Sequence, residues 1–174
     1  MRKLKPLSPG AIPAALEKAL RYRLLNDPLE AESICRDVLA AQPDNEQALV
    51  TMLLAVTDLF DREFGAAYER AKSLLGRLSS EYDRAYYEGI IHERWAKSVA
   101  ARDVPGHVVT GWFLHAMRSF ERAESLAPPD NPDAILRFNT CVRLVERYGD
   151  RASFDTTMTH DVESEFGDEA PTAP

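Results

Sequence analysis

The chain has little cysteine, few glycines and no long apolar run, and each shortage excludes something. Two cysteines in 174 residues, Cys35 and Cys141, lie far apart and make no disulfide framework. A folded body of roughly 150 residues buries about 70% of the surface its unfolded chain exposes, so it needs neither disulfides nor metals to hold together. Reduced thiols in an intracellular setting are expected. Eight glycines are scattered near helix ends, with no Gly-rich phosphate loop and no dinucleotide fingerprint. The longest apolar stretch, Leu49 to Phe60, is broken by Thr51, Thr57 and Asp58, well short of the roughly 18 apolar residues of a membrane helix. The basic start, Met1 to Lys5, is followed by Pro6, Pro9, Gly10 and Pro13 where a signal peptide needs an unbroken apolar core, so a cytoplasmic location is expected.

Charge of one sign is also scarce at one end. Overall there are 21 Lys+Arg against 28 Asp+Glu, a net charge of −7. From Ala152 to Pro174 there are six acids and no Lys or Arg, which leaves the first 151 residues at 22 acids and 21 bases, or −1. A near-neutral body with an acidic tail is a poor electrostatic match for nucleic acid or anionic membrane. The tail is rich in Thr, Ser, Asp, Glu and Pro, and its apolar residues Phe154, Met158, Val162 and Phe166 are isolated. Such a segment cannot offset its ordering entropy by burial, so residues 149–174 are expected to be a disordered acidic tail. Residues 1–12 are expected to be a flexible N-terminal segment, which leaves 13–148 as the folded domain.

No run in that domain alternates β-branched and polar residues over five positions, so strands are not expected. Gly and Pro punctuate about seven helices, near 13–25, 28–41, 45–60, 63–78, 81–101, 107–126 and 131–148. Ser79 or Ser80 suits the cap of the fifth, Asp130 or Asn131 that of the seventh, and Gly149 its stop. Wide apolar stripes, such as Val109, Trp112, Phe113, Ala116, Phe120 and Ala123, with short connections predict antiparallel neighbours and an all-α stack of hairpins.

An internal repeat specifies the stack. Ala31, Cys35, Val38 and Pro43 in one segment match Ala116, Phe120, Ala123 and Pro128 in another: a small residue, larger or apolar ones at +4 and +7, and Pro at +12. Ala19 with Tyr22, and Gly89 after Tyr86 and Tyr87, supply the small and aromatic residues of the preceding helices. A middle unit keeps Ala67, Ala71 and Leu74 but has Ser79-Ser80 in place of the terminating Pro. Over residues 13–148 the pattern resembles the tetratricopeptide repeat family. The resemblance implies a right-handed α-solenoid of about three helical hairpins closed by a C-terminal capping helix. The fifth helix is a turn too long for that pattern, the Arg102–His107 turn is also long, and Asn139 stands where the seventh would need a small residue.

Signals for chemistry are few. His92-Glu93 opens like a zinc-protease helix, but Ala96 stands where the second His belongs. Glu88 and His92, with His107 and His115 on the next helix, make ordinary surface pairs more readily than a metal site, which needs three or four converging ligands. Cys35 occupies an apolar repeat position, Cys141 has no activating His nearby, and no nucleophile elbow is present. Asp61/Glu63 and Glu30/Glu32 read as solvated helix faces. No cofactor, metal or catalytic role is expected.

What remains is surface. In the geometry implied by the resemblance, the first helix of each hairpin lines a concave groove. The groove candidates are then Gln47, Val50, Leu54, Thr57 and Asp58 from the third helix, and Asp83, Tyr86, Tyr87, Ile90, Glu93, Arg94 and Lys97 from the fifth. Leu136, Thr140 and Arg143 are candidates from the seventh. Tyr and Arg supply large, rigid contact area and forked hydrogen bonds at binding surfaces, although both tyrosines fit equally well between helices. The Lys/Asn carboxylate clamp of chaperone-binding members is not matched, the corresponding positions being Leu16, Leu20, Thr51, Asp83 and Tyr87. The expectation is therefore a non-catalytic adaptor or scaffold that takes a peptide or partner helix in its groove. The alternatives are a structural subunit of a larger assembly and, more remotely, an enzyme using Glu88, His92, Glu93 and His115. Homo- or hetero-oligomerisation stays open. The acidic tail either solubilises the chain or folds back onto Arg94 and Lys97 and competes with an acidic partner.

Overall fold

A computed structural model describes residues 3–102 and 104–164, with side chains described as far as Gly149. Among these residues the chain is all-α: a 3-10 turn at Pro9–Ala11, then α1 (Ile12–Leu24), α2 (Pro28–Ala41), α3 (Glu46–Thr57), α4 (Phe60–Leu75), α5 (Glu81–Ala100), α6 (Gly106–Leu126) and α7 (Asp133–Ser164). Each helix packs chiefly on the next in sequence, with lesser contacts between α1 and α3 and between α3 and α5.

Local chemistry starts these helices. Asp27 accepts a hydrogen bond from the Glu30 N–H at 3.3 Å, Asn45 from Ala48 at 2.9 Å, and Ser80 from Asp83 at 3.2 Å. These side chains satisfy N–H groups that the first turn leaves without partners. Pro28 begins α2, where its missing N–H costs nothing. Asn131 accepts from the Asp133 N–H at 2.9 Å just ahead of α7. The connecting turns use Asn26 (φ 61°) and Asp130 (φ 64°), residue types that tolerate the left-handed region.

The repeat positions are where helices touch. Ala19, Ala31, Ala67 and Ala116 are all fully buried, as are the residues that follow three of them at +4: Cys35, Ala71 and Phe120. Gly89 marks the tightest approach: a Cβ there would lie 2.5 Å from the Phe120 ring. The third hairpin is also the longest, with 20 residues in α5 and 21 in α6 against 12 to 16 in α1–α4.

Two features depart from the expected helices. In α4 the backbone leaves helical geometry at Phe64 (φ 32°, ψ −114°), an uncommon conformation for a bulky residue. There the Phe64 ring stacks on Trp95 at 4.3 Å and lies 3.9 Å beneath the Arg102 guanidinium. At the other end, α7 does not stop at Gly149 but runs to Ser164. A single Gly costs a helix interior only about 1 kcal/mol, and no proline intervenes between Pro132 and Pro171. The rest of the expected tail, residues 165–174, lies outside the described residues. At the N-terminus, Leu7 packs on a small cluster formed by Ile12, Leu16, Val38 and Ala48.

The main core gathers around α5. Trp95 meets Phe60 edge-on at 5.5 Å, Tyr68 at 4.6 Å and Trp112 at 6.3 Å. Leu53, Val56, Leu59, Ile91, Phe113 and Phe120 pack around this cluster. Among the described residues no helix is long and apolar enough to cross a membrane.

Candidate functional site

The odd-numbered helices and the start of α4 line an open cavity of about 580 Å³. Arg23 and Leu24 reach it from α1, Thr57 and Asp58 from the end of α3, Glu93, Arg94, Lys97 and Ser98 from α5, and Arg137 from α7. Asn26, Phe60 and Asp61 complete the wall.

The site is organised around two acids. Asp58 caps the C-terminal end of α3 and pairs with Arg23, whose Nε lies 2.8 Å from Oδ2, and with Arg94. Arg94 also donates to Thr57 Oγ1 at 2.8 Å and, weakly, to the Leu54 carbonyl at 3.4 Å. Thr57 in turn donates to that carbonyl at 2.8 Å. A cation at a helix C-terminus meets its negative dipole and its unpaired carbonyls, so Arg94 closes the last turn of α3 while tying α3 to α5. Burial pushes the Arg94 guanidinium below its ordinary range, and Asp58 counters the shift.

Glu93 is the second acid and is fully buried. It holds Lys97 one turn along α5 and faces Arg137 of α7 at 3.4 Å. A buried carboxylate survives only with such partners, because desolvation disfavours its charge by several kcal/mol. Burial acts to lower the Arg137 pKa, but Glu93 and a hydrogen bond to the Tyr86 hydroxyl outweigh it and raise the guanidinium. Two acids thus carry four cations, with the exposed Asp61 at the rim.

The expected groove residues divide. Thr57, Asp58, Glu93, Arg94 and Lys97 converge on the cavity. Tyr86 joins through Arg137 but otherwise packs between helices, 5.9 Å from Tyr82 and 5.9 Å from Phe120. Tyr87 contacts the Tyr86 ring at 5.2 Å, and burial pushes its phenol up to about 12. Ile90 requires correction: it is 2% exposed, part of the core rather than of a binding face, because α3, α4 and α6 all pack on α5. Val50 and Leu54 are half-buried against that core, Asp83 is half-buried in the first turn of α5, and Gln47 is exposed. None of these lines the cavity. From α7, Arg143 is exposed and donates to its own helix at Asn139, Thr140 donates to the Leu136 carbonyl, and Leu136 is exposed.

Arg23, Ser98 and Arg137 were not among the expected residues. A signal for Arg137 existed. Ala134, Phe138 and Cys141 form the buried or partly buried stripe of α7, and Arg137 stands at its edge, three residues from one and four from another. Arg23, in the last turn of α1, gave no sign that it would meet the end of α3.

Of the remoter enzymatic grouping, Glu88, His92 and His115 lie near one another while Glu93 faces the cavity. Glu88 binds Ser119 at 3.2 Å and Arg122 at 2.7 Å, His92 faces His115 with ring centres 5.9 Å apart, and Glu93 holds partners on α7 and on its own helix. Among the described residues, no three His, Cys, Asp or Glu side chains converge to hold a metal. Both cysteines are buried, and that burial pushes each thiol up to about 12. In comparisons with protein-family models, curated proteins and solved structures, the chain matches none.

Proposed function

We propose that this chain is a non-catalytic interaction module of tetratricopeptide type, a right-handed superhelix that takes a peptide or partner helix on the face made by its odd-numbered helices. The observation that carries the reading is the 580 Å³ cavity, to which α1, α3, α5 and α7 all contribute while the even-numbered helices supply only Phe60 and Asp61, the first residues of α4. A concave face built from alternate helices is the binding surface of stacked hairpins, and burial of the small repeat residues supports that stacking. Buried thiols agree with a reduced cytoplasmic setting.

The test is capture from lysate of the source organism, followed by reconstitution with the purified partner. The chain and an Arg94→Ala/Arg137→Ala variant of equal helicity serve as parallel baits. A partner bound directly by the first and at least tenfold more weakly by the second supports groove binding. Equal binding to both moves the interface elsewhere.

A second reading, a subunit permanently held in a larger assembly, is favoured by one patch. Leu24, Leu25 and Leu29, around the α1–α2 turn, are 74%, 69% and 53% exposed. Clustered exposed leucines mark association surfaces. Light scattering on the purified chain separates the readings: a stable oligomer broken by Leu25→Asp/Leu29→Asp favours the subunit, and a monomer favours the module.

A further inference from the structure

The cavity holds more donors than its own acceptors use. Ser98 borders it, is only 4% exposed, and its hydroxyl has no hydrogen-bond partner. The Arg23 Nε is likewise buried, with no aligned acceptor although Asp58 stands at ion-pair distance. Lys97 and Arg137 share the single carboxylate of Glu93 and remain 45% and 39% exposed at the side chain, so each keeps free N–H groups toward solvent. A buried hydroxyl without a partner costs stability, and here it sits beside cations in excess of the local acids.

From this we infer that the cavity is a carboxylate site, filled by an Asp or Glu side chain of an acidic partner segment that bonds Lys97, Arg137 and Ser98. The inference rests on the interaction-module reading and adds the chemistry of its ligand. Charge selects the monoanion: the C-terminal ends of α1 and α3 open onto the cavity with negative dipoles, and Asp58 and Glu93 already occupy it. A dianionic phosphate meets more repulsion there than a carboxylate. Leu24, exposed at the cavity edge, offers an apolar shelf for the residue next to the acid.

The experiment is a titration of the full chain with a fluorescein-labelled peptide of alternating Leu and Glu. The same peptide with Gln for Glu, and one with phosphoserine for Glu, run in parallel. Binding is read by anisotropy and by amide shifts at Ser98 and Arg137 in 15N spectra. The expected result is binding of the Glu peptide with shifts at both amides, weakened about tenfold by Lys97→Ala/Arg137→Ala and about threefold by Ser98→Ala. Because Ser98→Ala removes only an unpaired hydroxyl, the fold is kept and the ligand effect is isolated. If the Gln peptide binds as well at the same amides, the carboxylate site falls while groove binding stands. Tighter binding of the phosphoserine peptide overturns the monoanion in favour of phosphate. If neither Ser98 nor Arg137 responds to any peptide, the site is overturned, and groove binding is then judged by the capture experiment alone.

Discussion

The two sides of α5 solve opposite problems within the same twenty residues. One side presents Gly89, Ile91, Trp95 and Val99 to α4 and α6, in a buried cluster with four aromatic rings around Trp95. The other presents Glu93, Arg94 and Lys97 to an open cavity, where Arg94 holds the end of α3 and Glu93 holds α7 by charge. The apolar side gains free energy from area removed from water and from close packing, with no desolvation to recover. The charged side spends most of its Coulombic gain on desolvation, so its contribution lies in fixing geometry more than in stability. Two faces with such different energetics should respond differently to substitution.

The largest contrast is expected at Trp95, 7% exposed at the centre of the aromatic cluster. Trp95→Ala should cost about 3–5 kcal/mol in urea unfolding, by lost burial and an unfilled cavity. A loss below about 1 kcal/mol would place the stabilising core elsewhere. Gly89→Ala sharpens the packing argument. A methyl 2.5 Å from the buried Phe120 ring should cost about 1–3 kcal/mol, less the roughly 0.5–1 kcal/mol that Ala gains in a helix. Gly111→Ala is its control: it lies within α6 with nothing within 4 Å of the added methyl, and should stabilise by about 0.5–1 kcal/mol.

On the charged side, Glu93→Gln should cost only about 1 kcal/mol, because Lys97 and Arg137 regain water when their partner is neutralised. A loss as large as that at Trp95 would erase the distinction between the faces. The smallest effect concerns pH. Burial, with the charges of His115 and Lys72, holds the His92 pKa below its ordinary 6.5, against the opposing pull of Glu88. The unfolded chain therefore binds this proton more readily. The contribution of neutral His92 is complete above pH 6.5 and is lost as pH falls through the lowered value. Chemical denaturation across that window should show the slope, and His92→Gln should flatten it.

Much of the fold was legible before any coordinates. Ser80 announced a helix start because its hydroxyl can accept from a backbone N–H three residues ahead. Ala31, Ala67, Gly89 and Ala116 announced close helix contacts because small side chains let helices approach, and all four are buried. Part of the site was legible too, since the groove geometry implied by the repeat resemblance named Thr57, Asp58, Glu93, Arg94 and Lys97, all of which line the cavity. Phe64 was not legible: its backbone conformation is paired with a ring stack on Trp95, thirty-one residues away, which no local preference encodes. The break expected between Phe60 and Glu63 registered only that the helix is irregular near there. The continuation of α7 past Gly149 shows that a Gly is a stop signal of about 1 kcal/mol, which a long run without proline overrides.

The sequence by itself determined an all-α chain and the order of its seven described helices, because caps and apolar periodicity act within one or two turns. Only the tertiary structure decided that Arg23 and Arg137, from helices more than a hundred residues apart, join Asp58 and Glu93 around one cavity, and that Ile90 goes to the core. The angle and offset between helices are set by the summed packing of many side chains, and small changes there decide which long polar side chain reaches which acid.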